Sequence, residues 1–257
     1  MGEWGMTMRD RVTASPWQQM LGIESSPVSH RERWVSALGG FAGLLVIYLV
    51  SHAVGGAPSA PLLIFSIGAS TVLVFAVPHG SLSQPWPVFG GHLVAALIGV
   101  ACARMVPNAG LAAATAVGLT IVAMHYLRCI HPPGGATALV AVLGGPSVQA
   151  LGFGFVLAPV LLNVLLLLAA GVAFNAFFPW RRYPAFLARH SAAPEPVSGY
   201  DAISHEDFVF ALTQMDSFID VSEDDLLRIY GLATGRHREM EERAAAAARS
   251  VNSSAPP

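Results

Sequence analysis

Long apolar runs alternate with short, breaker-rich connections from Trp34 to Trp180. The first run, residues 34–51, opens on an aromatic side chain suited to a membrane interface. It carries Gly39, Gly40 and Gly43 among Leu, Val and Ile, small residues that permit close helix contact in lipid. Gly55, Gly56 and Pro58 mark its end. A second run, 62–77, has Gly68-Ala69-Ser70-Thr71 at its middle and Pro78 behind it. A polar but uncharged connection, His79 to Pro87, leads into a third run, 88–106, with Gly90, Gly91 and His92 near its start. A fourth, 109–128, is rich in Ala and Gly. After His131-Pro132-Pro133-Gly134-Gly135-Ala136-Thr137 come a short run, 136–143, the breaker Gly144-Gly145-Pro146, and a long last run, 148–178, closed by Trp180-Arg181-Arg182. The pattern predicts an all-α, multi-pass transmembrane bundle of about six spans, one of them short.

Composition sharpens this reading. The chain is 54 % hydrophobic and 12 % charged, contains no lysine, and has no Asp or Glu between Glu32 and Glu195. Arg104 and Arg128 are the only formal charges from Trp34 to Trp180, so the region is insoluble as a globular domain and belongs in a lipid bilayer. A net charge of −2 without a basic cluster excludes nucleic acid as a partner. Cys102 and Cys129 lie in or at the ends of apolar runs and read as packing residues. Residues 1–33 hold Arg9, Arg11, Arg31 and Arg33 but no apolar core of the kind a signal peptide needs. Six crossings with the N-terminus inside return the C-terminus inside. That agrees with cytoplasmic arginines at 9, 11, 31, 33, 128, 181 and 182, and predicts an inner (plasma) membrane protein with both ends in the cytoplasm. Arg104 is the exception, and either snorkels at the outer end of the third span or lines a polar cavity.

Two stretches repeat. Gly68-Ala69-Ser70-Thr71-Val72-Leu73-Val74 matches Gly135-Ala136-Thr137-Ala138-Leu139-Val140-Ala141 in character, and each is followed by Pro (Pro78, Pro146) and then Gln (Gln84, Gln149). With three crossings per unit, the second unit lies upside down relative to the first, as in transporters that place a site at the centre of a 3+3 inverted repeat. The two prolines at 132 and 133 cannot continue the fourth helix, so a new helix is expected near Ala136. Its first amides, and those near Gly68, would be free to bind an anion, with Ser70 and Thr137 adding hydroxyl donors.

Beyond Tyr183 the character changes. Residues 181–200 read as a linker with Pro184, Pro194, Pro196 and Gly199. Ser204-His205-Glu206-Asp207 and Ser222-Glu223-Asp224-Asp225 then each read as a helix start, giving a small cytoplasmic hairpin over 201–249 and a disordered tail over 250–257.

The membrane region resembles the HPP family of integral membrane proteins. The likeness rests on Cys129-Ile130-His131-Pro132-Pro133-Gly134-Gly135-Ala136-Thr137-Ala138, Gly68-Ala69-Ser70, Pro78-His79, Gln84-Pro85 and Gly90-Gly91-His92, in order over roughly residues 60–150. Members in plastids and cyanobacteria are associated with nitrite transport, and that is the activity the resemblance implies. Many bacterial relatives continue into paired CBS domains. The helical hairpin stands in that place here, so no nucleotide-sensing role is expected.

The candidate substrate-binding set is therefore Gly68, Ala69, Ser70, His92, His131, Gly134, Gly135, Ala136 and Thr137. His79, His92 and His131 fall at three breaks, and a buried imidazole in lipid needs a partner that no carboxylate of the region can supply. Freed backbone carbonyls are one source. A metal site would need a fixed geometry that the spacing of these histidines does not show, and no metal or cofactor is expected. Two function classes stay open. One is a transporter or channel for a small inorganic anion; the other is a membrane-embedded sensor or assembly protein acting through its cytoplasmic helices. Intramembrane catalysis is not expected, since no carboxylate is present and no Ser/His pair has a distinctive spacing. Glycine faces in spans one, three and four suit contacts within one chain or between copies equally, so a homo-oligomer is left open.

Overall fold

A computed structural model of the chain describes residues 28–55 and 60–187, together with Trp17, Met20, Leu21, Leu226 and 229–231. The hairpin expected over 201–249, apart from those four positions, and the tail after it lie outside the described residues. Within residues 28–187 the α-helices follow in order: α1 (His30–Gly55), α2 (Ala60–Ala76), α3 (Pro85–Met105), α4 (Ala109–Tyr126), α5 (Pro133–Leu143), α6 (Pro146–Leu151) and, after a π turn at Val156–Leu161, α7 (Leu162–Ala176). No strand occurs among the described residues. Four stretches are long and apolar enough to cross a bilayer: His30–Ala53, Pro85–Met105, Ala109–Tyr126 and Val156–Ala176. Phe65–Ala76 and Pro133–Leu143 are shorter apolar helices. Successive helices alternate in direction, so α1, α3 and α5 run from a near face to a far face, and α2, α4 and α7 run back. Large apolar side chains such as Phe41, Phe65, Leu119 and Leu165 are exposed around the outside, where they meet lipid rather than water.

α3 sits at the centre, packed against both α4 and α5, while α1 packs on α2 and α7. Small residues one turn apart explain the close approach of α3 and α5. A Cβ built on Gly91 would stand 2.6 Å from His131 Cβ, and one on Gly99 would stand 2.7 Å from Ala141 Cβ and 2.8 Å from the Ala138 carbonyl. With Ala95 between them, these positions form a small-residue seam that lets backbone meet backbone, the main route to helix association where lipid removes the hydrophobic drive.

The short crossing is a half-helix. At 1.5 Å per residue the 11 residues of α5 extend only about 16 Å, roughly half the hydrocarbon thickness. The remainder is non-helical backbone, 127–132, in which Cys129 and His131 are fully buried. Irregular backbone at this depth is tolerated only inside protein. Its turn differs from the sequence expectation. α4 ends at Tyr126, just short of the expected 128; Arg128, with a left-handed φ of 54°, turns the chain, and the Cys129 amide bonds back to the Met124 carbonyl at 2.9 Å. α5 then starts at Pro133 rather than near Ala136, because proline lacks only an amide that the first turn of a helix does not use.

Other boundaries also shift. Helix α1 begins at His30, four residues ahead of the run expected from Trp34, so Glu32 lies in the first helix of the bundle. The long last run is broken at Gly152 (φ 52°) and again at Ala158, which is extended (φ −134°, ψ 111°) ahead of Pro159. Asn163 repairs that second break by donating to the Pro159 carbonyl (2.9 Å), and it accepts from the Ser51 hydroxyl on α1. Residues 181–187 are not a linker. Arg181, Tyr183 and Ala185 are buried, the Tyr183 hydroxyl donates to the Ser83 carbonyl (2.8 Å), and the Ala185 amide donates to Gln84 Oε1 (3.0 Å). This strap closes the near face over the α2–α3 connection. Burial raises the Tyr183 phenol well above its ordinary value, so it stays a neutral donor.

Candidate functional site

Four of the candidate residues meet in the bundle interior. Ser70 lies six residues from the end of α2 and His92 seven from the start of α3, so both stand about 10 Å inside the near face. The half-helix brings His131 and Thr137 to the same depth. Ser70 Oγ is 2.8 Å from His92 Nε2 and 2.8 Å from His131 Nε2, His92 Nδ1 is 2.7 Å from Thr137 Oγ1, and His131 Nδ1 is 2.9 Å from the Leu82 carbonyl. All four side chains are buried, and the two imidazoles meet edge to face with centroids 5.0 Å apart.

The partners fix the hydrogens. A carbonyl can only accept, so His131 carries its proton on Nδ1 and offers a lone pair at Nε2. Ser70 donates to that lone pair, at 2.8 Å against 3.2 Å for the Ser66 carbonyl, which leaves its oxygen to accept from His92 Nε2–H. His92 Nδ1 in turn accepts from the Thr137 hydroxyl. The result is one directional chain, from Thr137 through His92, Ser70 and His131 to the Leu82 carbonyl, in which every group is neutral and paired. Such a chain answers the buried-imidazole problem posed by the sequence, mostly with hydroxyls rather than backbone carbonyls.

The repeat-equivalent residues Ser70 and Thr137 grip the two nitrogens of the same ring. Equivalent glutamines also behave alike. Gln84 donates to the Pro78 and Gly80 carbonyls (3.0 and 2.9 Å), and Gln149 to the Val142 carbonyl (3.2 Å), each tying down the turn that follows its middle helix.

The amide site expected at Gly68 and Gly135 is not formed. α2 runs unbroken through Gly68, Ala69 and Ser70, because in lipid a continuous helix satisfies amides that a break would orphan. The Gly134 amide bonds to the His131 carbonyl (2.9 Å) and the Gly135 amide to the Pro132 carbonyl (3.0 Å), so neither is free. Gly134 serves packing, Gly135 and Ala136 are half-buried, and a Cβ on Gly68 or Gly135 meets nothing within 4 Å. His79 stands apart, with its Nε2 donating to the Arg182 carbonyl at 3.1 Å. No group of three His, Cys, Asp or Glu side chains suited to a metal occurs among the described residues. The Leu82 carbonyl escaped sequence reasoning, since no side-chain signal marks a backbone acceptor.

The transmembrane-region profile of the HPP family matches residues 25–184. The chain belongs to the HPP family. Two transmembrane proteins of Dictyostelium discoideum are similar to it. One is 38 % identical over 171 residues, which is 64 % of this chain and 55 % of the relative. The other is 36 % identical over 153 residues, 58 % of this chain and 53 % of the relative. This HPP protein thus spans about half the length of the curated relatives it matches. No solved structure matches it. The HPP turn itself is held by close packing. A Cβ on Gly134 would stand 2.9 Å from the Gly91 carbonyl oxygen and 3.2 Å from its carbon, atoms of a helix backbone that cannot yield cheaply. Gly134→Ala should therefore cost about 1–3 kcal/mol, whereas Gly135→Ala should be neutral or stabilise by up to about 1 kcal/mol. Thermal unfolding of the purified proteins in detergent checks the order, and equal midpoints would show that the seam is looser than described.

Proposed function

We propose that this protein carries a small inorganic monoanion of the nitrite class across the membrane together with a proton, rather than acting as an enzyme. The observation that supports the reading is the buried Thr137–His92–Ser70–His131 chain in a stretch, residues 33–194, without a carboxylate. Protonation of His131 at Nε2 requires Ser70 to withdraw the hydrogen it donates there. The Ser66 carbonyl, 3.2 Å from Ser70 Oγ, stands ready to accept that hydrogen. The new Nε2–H then donates to Ser70 Oγ, which keeps its bond from His92. One added proton is thus accommodated by turning one hydroxyl.

The added charge is another matter. An imidazolium at this depth needs a counter-ion, and no Asp or Glu lies between Glu32 and Glu195 to provide one. A small anion arriving with the proton supplies it, and the pair crosses with no net charge. The four side chains are closed from solvent, so loading them requires the bundle to open, as in alternating access around a central site. Placing the near face in the cytoplasm, as the arginine distribution suggests, puts this centre closer to the inner surface.

Purified protein in liposomes should take up nitrite faster under an inward proton gradient and acidify the lumen when nitrite is added, relative to protein-free vesicles at the same pH. Nitrite, nitrate and chloride rates equal to those of empty vesicles would overturn the proposal.

A further inference from the structure

The far end of α3 carries a second feature that the buried histidines do not use. Arg104 lines a cleft of about 220 Å³ between the ends of α3 and α5 and the short helix α6. Val100, Ala141 and Val148 are buried along it, and Gln149 stands exposed at its edge. Arg104 is exposed, but its guanidinium folds back over the last crossing. It lies against Gly152, where any Cβ would overlap it, and its carbon stands 5.3 Å from the centroid of the Phe153 ring. Gly152 also has a φ of 52°, a conformation that suits glycine and turns the chain beneath the arginine. The break in the last crossing thereby makes room for a positive charge.

Among the described residues that charge has no carboxylate and no carbonyl partner; the one ion pair is Arg181 with Glu32, at the opposite face. A cation at a helix C-terminus is favoured by the helix dipole, but the dipole requires neither a cleft nor a glycine under the side chain. Five N–H donors in a planar fork, resting on Gly152 and Phe153 at the mouth of a cavity with room for several waters, fit an oxygen-bearing anion bound by two oxygens.

We propose that the Arg104 cleft binds a small oxyanion at the far face, about 18 Å along α3 from His92. The site stands independently of the proton-coupled reading of the histidines. Its ligand is either a free inorganic oxyanion or the phosphate of a lipid headgroup, which share this chemistry. Calorimetric titration of the full chain with sodium nitrite and with sodium phosphate, in a non-ionic detergent free of phospholipid, should show saturable binding. Arg104→Gln should weaken it about tenfold or more and Arg104→Lys less, since a lysine keeps the charge but loses the fork. Repeating the titration in nanodiscs separates the sources. Binding that survives anionic phospholipid belongs to the free anion, and binding that anionic but not zwitterionic lipid suppresses belongs to the headgroup; both outcomes support the site. Ser70→Ala should lose uptake yet keep this binding. The proposal is overturned if folded wild-type protein binds neither anion in detergent, or if Arg104→Gln binds them as tightly as wild type.

Discussion

Ser70→Ala should reduce proton-driven nitrite uptake by about ten- to a hundredfold, the worth of one hydrogen bond to a charged group, on the order of 1.5–3 kcal/mol. Ser70 bridges the two imidazoles by hydrogen bonds of 2.8 Å on each side, and in the proposed mechanism its hydroxyl is the group that turns when His131 takes up a proton. Without it, His92 Nε2–H and the His131 Nε2 lone pair are both buried and unpaired. Each orphan costs about 1–3 kcal/mol, so the variant should also be less stable. A paired substitution separates the two effects. Thr137→Val keeps the shape of the side chain but removes the donor to His92 Nδ1, while Thr137→Ser keeps the donor and loses only a methyl. Uptake should fall in the valine variant and persist in the serine variant, with both monodisperse in detergent. Normal proton-coupled uptake by folded Ser70→Ala would reduce the chain to a means of satisfying buried polar groups.

The same residues show what sequence could and could not deliver. Ser70, His92, His131 and Thr137 were all legible, because polar side chains in an apolar run stand out and because each falls in a family motif. Their pairing was not, since the partners lie 22, 61 and 45 residues apart and only the packing of α2, α3 and α5 decides which atoms meet. The anion-binding amides failed for a local reason. Glycine permits a break but does not impose one, and at Gly68 the surrounding lipid favours an unbroken helix. At Gly134 and Gly135 the turn itself consumed the amides that were counted as free. Sequence does not reveal where a charge is paired. Arg181 fits the rule that arginines flank spans on the cytoplasmic side, yet it is 1 % exposed, because an acid far away in sequence, Glu32, sits one turn into α1 on the same face.

That pair carries the largest stability prediction. Arg181 donates to Glu32, to Ser36 Oγ (3.0 Å), to Asn175 Oδ1 (3.1 Å) and to the Phe75 carbonyl, one of the last carbonyls of α2, which has no partner within its own helix. A single guanidinium thus joins the near-face ends of α1, α2 and α7. Burial lowers its affinity for a proton, and the Glu32 carboxylate opposes that shift both by its charge and by its hydrogen bond. Glu32→Gln keeps the shape but strands a buried cation, at a cost of about 3 kcal/mol, the low end for a broken buried pair because Glu32 is 23 % exposed. Glu32→Gln with Arg181→Met removes the charge as well and should recover part of that loss, although the Phe75 carbonyl then goes unpaired. Unfolding midpoints of the two single variants and the double variant in a mixed-micelle titration give the coupling. The strap of residues 181–187 begins at this arginine and holds the connection that offers the Leu82 carbonyl to His131. Glu32→Gln should therefore also slow uptake without touching the histidines. A midpoint unchanged from wild type, with zero coupling, would mean that water rather than Glu32 neutralises Arg181 and that the near face is open.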